Sequence, residues 1–282
     1  MTLSATSASW RSVTFGGAET PYKLSGIEGW DELPAFDTDT IPVRSGRGAM
    51  VAPIRFGART VKLTGFTFDR VDRDSLVLAL RAGTAPLQDS LVTEPLTISE
   101  AGMTLSADAR IVRVTASKEG WSLGRFGWAA DWLCSDPLRY GPSTMYTAVI
   151  ALPVAGKVYP VTYPFTYPAN PPSGSVTVFN SGTASAAAVY RLVGPLISPG
   201  VANVDTGKQV NFDFNLAIGD ELVIDTVEGA AFLNGEYRTP TAVSNLTSDL
   251  VIPPGRSTLQ ALGDVGSGGA PLIAVTFRQS YW

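Results

Sequence analysis

Between Glu28 and Lys62 the charges of this chain are sorted by sign. Five acids come first, Glu28, Asp31, Glu32, Asp37 and Asp39, with no base between Lys23 and Arg44. Five bases follow, Arg44, Arg47, Arg55, Arg59 and Lys62, with no acid between Asp39 and Asp69. Gly46, Gly48, Pro34, Pro42 and Pro53 mark the stretch as a long loop able to reach a neighbour. The chemistry open to such a segment is electrostatic recognition, in which the acidic patch of one molecule meets the basic patch of the next, head to tail. Glu28, Asp31, Glu32, Asp37, Asp39, Arg44, Arg47, Arg55 and Arg59 are the candidate interface residues. The competing reading is that the two runs fold against each other within one subunit or lie solvated.

Catalytic chemistry is narrowly bounded. The chain has no histidine, the usual general base near neutral pH and the commonest metal ligand. Ser-His-Asp and Cys-His hydrolysis are thereby excluded, and so are most zinc sites. One cysteine, Cys134, rules out an internal disulfide and reads as a small buried apolar residue. The 25 Asp and Glu leave carboxylate-pair chemistry formally open, yet no pair stands out by spacing. The expectation is a protein without enzymatic activity, metal or cofactor. A net charge of -4 argues against binding to nucleic acid through phosphates. No apolar run approaches the ~18 residues of a membrane span. The stretch Met1–Trp10 lacks a positive start and a sustained apolar core, so it does not read as a signal peptide. A soluble protein made in the cytosol is expected, and the glycosylation match at Asn245-Leu246-Thr247 reads as chance.

The elements that position these charges are mainly strands. The 28 glycines and 20 prolines call for many turns and few helices. Trp121–Cys134 alternates, with Phe126, Trp128, Ala130, Trp132 and Cys134 on one face, and Ser135-Asp136-Pro137 ends it. Val13–Phe15, Tyr22–Leu24, Ile54–Phe56, Arg59–Phe68, Leu96–Ile98 and Ala109–Ala116 read as further strands. One helix is expected around Ser75–Arg81, capped by Asp72 or Asp74, with Leu76, Ala79 and Leu80 on its inner face and Gly83 at its C-terminal end. Residues 1–145 hold 15 Lys/Arg and 16 Asp/Glu against 6 and 9 in 146–282, so the chain changes character near Tyr140-Gly141-Pro142. Two domains follow: 1–145, β-rich with one helix, and 146–282, entered through a proline-rich segment over 137–172. The second half reads as strands only: Val158–Tyr163, Ser175–Phe179, Val189–Val193, Val210–Phe214, Glu221–Asp225, Asp249–Ile252, Thr258–Leu262 and Leu272–Phe277. Asn234-Gly235 is a two-residue hairpin signal. Such spacing gives an antiparallel β-sandwich of jelly-roll or lectin-like type.

Several landmarks together resemble the distal tail proteins of long-tailed, non-contractile phages. They are Ser25-Gly26-Ile27 with the loop to Gly48, Thr60–Gly65 leading into the helix with Leu76 and Leu80, and Trp132–Pro137 followed by Tyr140-Gly141. In the second half they are Val176–Gly182, Gly194–Ile197, Gly219-Asp220 before Leu222–Asp225, Ile252–Gly255 before Leu259, and Thr276–Trp282. The resemblance implies a virion structural protein at the tail tip. It implies a hexameric ring whose N-terminal domains surround a channel and whose galectin-like C-terminal domains point outward. The implied partners are further copies of the chain, the tail tube protein and a tail-tip or baseplate protein, with a receptor-binding protein or host glycan as further candidates.

Two other readings compete. One is a carbohydrate-binding or adhesion β-sandwich from a bacterial surface, and the missing secretory signal argues against it. The other is a glycoside hydrolase, for which no aromatic-flanked acidic pair is found in either half. The aromatic-proline run Tyr159–Pro168 reads as a linker covering the sandwich edge, because clustered polar groups that a sugar site needs do not accompany it.

Overall fold

The computed structural model describes residues 6–37, 40–42, 49–51, 55–68, 72–85, 93–117, 120–150 and 174–282. They fall into two units, Met1–Gly141 with Tyr281–Trp282, and Pro142–Ser280, so the closing dipeptide belongs with the first unit. Val158–Tyr163 and the run Tyr159–Pro168 lie outside the described residues.

In the first unit β1 (Ser7–Trp10), β2 (Val13–Gly16), β3 (Lys23–Glu28), β4 (Phe36–Asp37), β5 (Thr40–Pro42), β6 (Ala49–Val51), β7 (Arg55–Phe56) and β8 (Arg59–Phe68) precede helix α1 (Arg73–Gly83). After the helix come β9 (Glu94–Glu100), β10 (Met103–Ser117), β11 (Arg125–Cys134) and β12 (Arg139–Val149), the last of which runs on past Pro142. The main sheet is antiparallel in the order β2-β1-β9-β10-β11-β8-β3. Strand β10 serves both halves: Met103–Ala109 pairs β9, and Ala109–Ser117 pairs β11. A register shift between Ile111 and Arg113 leaves Val112 as a bulged, exposed residue, and a bulge bends a strand. The two halves face each other across an aromatic core. Phe15 of β2 lies 4.8 Å from Trp128 and 5.9 Å from Trp132, and Trp10 of β1 lies 6.0 Å from Trp132.

The alternation of β11 is that of its sequence: Phe126, Trp128, Ala130, Trp132 and Cys134 are all buried. Trp121 is not part of the strand, because Trp121–Leu123 forms a 3-10 turn. Trp128 pairs with Gly65 across the ladder, and a Cβ on Gly65 would sit 2.3 Å from the Trp128 ring. The glycine makes room for the indole.

Helix α1 departs from expectation in two ways. Its buried residues are Val77 and Leu80, Leu76 is partly buried against the core and Ala79 is exposed, so the inner face is as expected at Leu76 and Leu80 but takes Val77 in place of Ala79. Gly83 is the last helical residue rather than a left-handed cap. A Cβ there would lie 2.2 Å from Val13 Cγ2, and it is this close approach that calls for glycine. The helix ends at Thr84, whose hydroxyl donates to the Leu80 carbonyl at 2.6 Å. Asp72 is the N-cap residue without a side-chain cap bond; its carbonyl accepts from Ser75 Oγ at 2.6 Å.

The second unit is a pair of antiparallel sheets. Its strands are β13 (Ser175–Asn180), β14 (Ala188–Val193), β15 (Leu196–Asn203), β16 (Lys208–Asn211), β17 (Asn215–Leu216), β18 (Glu221–Asp225), β19 (Ala230–Leu233), β20 (Glu236–Tyr237), β21 (Gly255–Val265) and β22 (Leu272–Tyr281). One sheet runs β22-β14-β18-β19-β20, the other β13-β21-β15-β16 with β17 on β15. Leu192, Leu222, Ile224, Ile273 and Val275 from the first sheet meet Val178, Val201, Val210 and Leu259 from the second in one core. Tyr190 is fully buried and donates its hydroxyl to the Leu250 carbonyl at 2.7 Å, and burial raises its pKa. Asn234 and Gly235 have φ of 50° and 87°, the left-handed pair that a tight hairpin turn needs. Asp249–Ile252 is not a strand: Thr247–Asp249 is a 3-10 turn and Ile252 makes an isolated bridge to Ala186.

Candidate functional site

Strand parity decides where the sorted charges go. On β8 the even residues face outward, and the ladder sets Lys62 beside Glu28 of β3 on one side and Asp131 of β11 on the other; Asp131 pairs in turn with Arg113 of β10. The result is a row Glu28–Lys62–Asp131–Arg113 of alternating sign across four strands. Lys62 and Glu28 form an ion pair at 3.1 Å within the chain. Next to this row lie small residues, Gly26, Thr64, Ala129 and Thr115, and beyond them an apolar corner of Phe66 and Phe68 in edge contact at 5.0 Å. No described element of the first unit covers this outward face, since Thr60, Phe66, Phe68, Arg125, Leu133, Arg113 and Thr115 are exposed.

Arg59 has odd parity on β8 and points inward. It is 2% exposed. Its Nη1 donates to the carbonyls of Gly29 at 2.9 Å, Trp30 at 2.8 Å and Glu32 at 2.7 Å, and its Nε donates to Pro137 O at 2.8 Å. Burial, with Arg139 nearby, lowers its pKa, and Asp31 and Glu32 act in the opposite sense. Nε and Nη1 are thus occupied inside their own unit and gather the approach to the loop, while Nη2 is buried without a hydrogen-bond partner among the described residues. Cys134, its ladder partner, is fully buried, and burial pushes its thiol up to about 11. A thiol held protonated is inert as a nucleophile.

Asp31 is exposed but carries an ion pair with Arg139 at 2.6 Å. Glu32 is exposed, and its carbonyl is an acceptor for Arg59. Asp37 and Arg55 are directly opposite in the two-residue ladder of β4 and β7. Asp39, Arg44 and Arg47 lie outside the described residues. The structure thus folds part of the acidic run against part of the basic run within one chain, and leaves Arg55 exposed at the base of a loop whose inner strands β5 and β6 pair only with each other among described strands.

Five residues at this base are not among the candidate interface residues. Trp282 lies against Phe56 at 4.2 Å, Phe56 meets Phe36 edge-on at 6.4 Å, and Arg139 sits over the Trp30 ring at 5.6 Å while donating to the Trp282 carbonyl. Parity would have found the inward Arg59, which shares its side of β8 with Val61 and Leu63; no local pattern announces that Trp282 returns to Phe56. Among the described residues no group of three or more acids or cysteines could hold a metal ion.

No protein-family model matches the chain, and no curated protein does. Solved structures do. The SPP1 Dit protein, a paradigm of the hub adsorption apparatus in phages that infect Gram-positive bacteria, superposes with a TM-score of 0.67 at 13% identity, over 98% of this chain and 99% of that one. A chain of the phage P2 baseplate in its activated, calcium-bound conformation matches at a TM-score of 0.43 and 12% identity, over 96% and 97%. The chain shares the fold of the SPP1 hub protein from end to end.

Proposed function

We infer that this chain is a structural protein of a phage tail tip, a distal-tail hub subunit without enzymatic activity. The observation that carries the reading is the end-to-end fold match to the SPP1 hub protein, which includes both units rather than one widespread sandwich. In this reading the chain is made in the host cytoplasm and works in the virion. Six copies close into a ring through the first unit, and the ring joins the tail tube protein to the tail-tip machinery. The second unit is the galectin-like arm of the hub. Domains 1–145 and 146–282 divide these tasks.

The contact between ring neighbours is assigned in part to charge. With Arg59, Lys62, Glu28 and Asp31 engaged in their own subunit, the charges left for a neighbour are Glu32, Asp37 and Asp39 on one side and Arg44, Arg47 and Arg55 on the other. Exposed pairs are worth ~0–1 kcal/mol each and are screened by salt. The solution mass of the purified protein is the test. A ring gives a multiple of the 29.7 kDa chain mass, whereas a stand-alone sugar-binding module stays monomeric. Reversing Arg44 and Arg47 to Glu is expected to weaken the oligomer at low salt, and changing Asp37 and Asp39 to Lys in the same chain to restore it. A monomer at every salt and concentration refutes the ring; a ring indifferent to both reversals refutes the charge contact alone.

A further inference from the structure

The loop that leaves the first unit after Phe36 stands on a weak base. Strands β4 and β7 contribute two residues each, joined by the backbone bond from Gly57 N to Ala35 O at 2.7 Å. An isolated two-stranded hairpin is marginal in water. Phe36 is 57% and Phe56 40% exposed, so the base has no core of its own. Something else has to hold it.

We propose that Tyr281–Trp282 is a clamp that fixes the base of this loop. Tyr281 packs against the first unit's core, and Trp282 places its ring 4.2 Å from Phe56 at an interplanar angle of 34°. Arg139 locks the clamp from the other side. One guanidinium donates to the Trp282 carbonyl, pairs with Asp31 at 2.6 Å and covers the Trp30 ring. It therefore ties the closing residue to the same Trp30–Glu32 stretch that Arg59 holds through its carbonyls. Approach, base and closing residue form one unit of structure, although they are about 250 residues apart in the chain. A base so held is ordered before any partner arrives, which lowers the ordering cost of binding there. Its benefit to assembly rests on the ring reading; the clamp itself does not.

The test is hydrogen exchange on the full chain, kept dilute enough to be monomeric. Trp282→Ala is expected to speed exchange in the peptides holding Phe36–Asp37 and Arg55–Gly57 roughly three- to tenfold, the worth of one aromatic pair. Peptides of β8 and β11 keep the wild-type rate, and Trp282→Phe stays close to wild type. Adding Phe56→Ala to Trp282→Ala produces less than the sum of the two single effects, because both remove the Trp282–Phe56 contact and only Phe56→Ala also removes the contact to Phe36. Unchanged exchange at the base, a rise spread evenly over the first unit, or fully additive effects of the two substitutions would each overturn the clamp. Solution mass measured on the same variants separates failure of the clamp from failure of the ring.

Discussion

Replacing Arg59 by methionine keeps most of the stem volume and removes the guanidinium. Four backbone carbonyls, at 2.7–2.9 Å, then lose their donor. A hydrogen bond to a charged group contributes ~1.5–3 kcal/mol, but four on one head group do not add, since the Trp30–Glu32 turn can relax toward water. Against them stands the desolvation of a buried cation, several kcal/mol that methionine no longer has to meet. On balance a loss of about 3–5 kcal/mol is expected, since up to four neutral acceptors are orphaned at ~1–3 kcal/mol each where they stay buried, while the desolvation cost of the cation is relieved. For a unit of this size each kcal/mol moves the midpoint by about 2–4 °C, so a fall of roughly 6–20 °C is expected.

The assay is intrinsic to the chain. All six tryptophans lie in the first unit, so indole fluorescence follows its unfolding without a signal from the second. Arg59→Lys keeps the charge but cannot fork to four carbonyls, and an intermediate fall is expected. If Arg59→Met unfolds within ~1 kcal/mol of wild type while the oligomer dissociates, Arg59 serves a neighbour and not its own subunit, and the reasoning from its burial fails.

Trp128→Ala is expected to cost about 3–5 kcal/mol of first-unit stability by denaturant titration. Gly65→Ala should destabilise through the same contact, since the new methyl meets both the indole and the Lys23 carbonyl, 2.1 Å from its position. Gly83→Ala, which in a free helix gains up to ~1 kcal/mol, should instead lose ~1–3 kcal/mol because the methyl collides with Val13; a raised melting temperature would contradict this. Cys134 should resist alkylation in the native protein at neutral pH and react once it unfolds. Its folded pKa lies above the unfolded value, so the stability linked to its protonated state is complete below pH 9 and is lost as pH rises from 9 through about 11; rapid native labelling would place the thiol at the surface.

Local pattern was readable wherever a strand was regular. Arg59–Phe68 and Glu221–Asp225 have the bounds their sequence announces, the β11 face is the one its tryptophans define, and Asn234-Gly235 turns as that pair must. The pattern failed where tertiary contacts replaced ladder bonds. Strand β15 runs through Pro199 and Gly200, both strand-breaking signals, because the register shifts between Ile197 and Gly200 and the proline is not asked for a ladder bond there. Phe212 reads as part of a strand, yet β16 stops at Asn211 and the Phe212 amide donates to Pro199 O. Ala101-Gly102 closes the β9–β10 turn with φ of 50° and 82°, a conformation alanine seldom announces. The inner face of α1 takes Val77 in place of Ala79 because the helix is docked by its end contact at Val13 and by the Tyr22 hydroxyl donating to Leu76 O at 2.7 Å.

The sorted charges show the same division at the level of function. From sequence, Arg44, Arg47, Arg55, Arg59 and Lys62 look like one basic patch, but their chemistry separates by position in the ladder. The odd residue Arg59 is drawn inward, where carbonyls alone can solvate it, and so becomes a framework residue. The even residue Lys62 pairs with Glu28 at 3.1 Å and stands opposite Asp131 in the ladder, so acids of its own sheet flank it. What a neighbouring molecule would meet is therefore only the part of each run beyond the sheet. That makes any charge contact weak per pair and dependent on number, and a closed ring supplies number by repeating one contact at every junction. Within the chain, the two-residue ladder at the base of these runs is marginal by itself, and it is Arg59, Arg139 and Trp282 that tie it to the sheet through the Trp30–Glu32 carbonyls, Asp31 and Phe56.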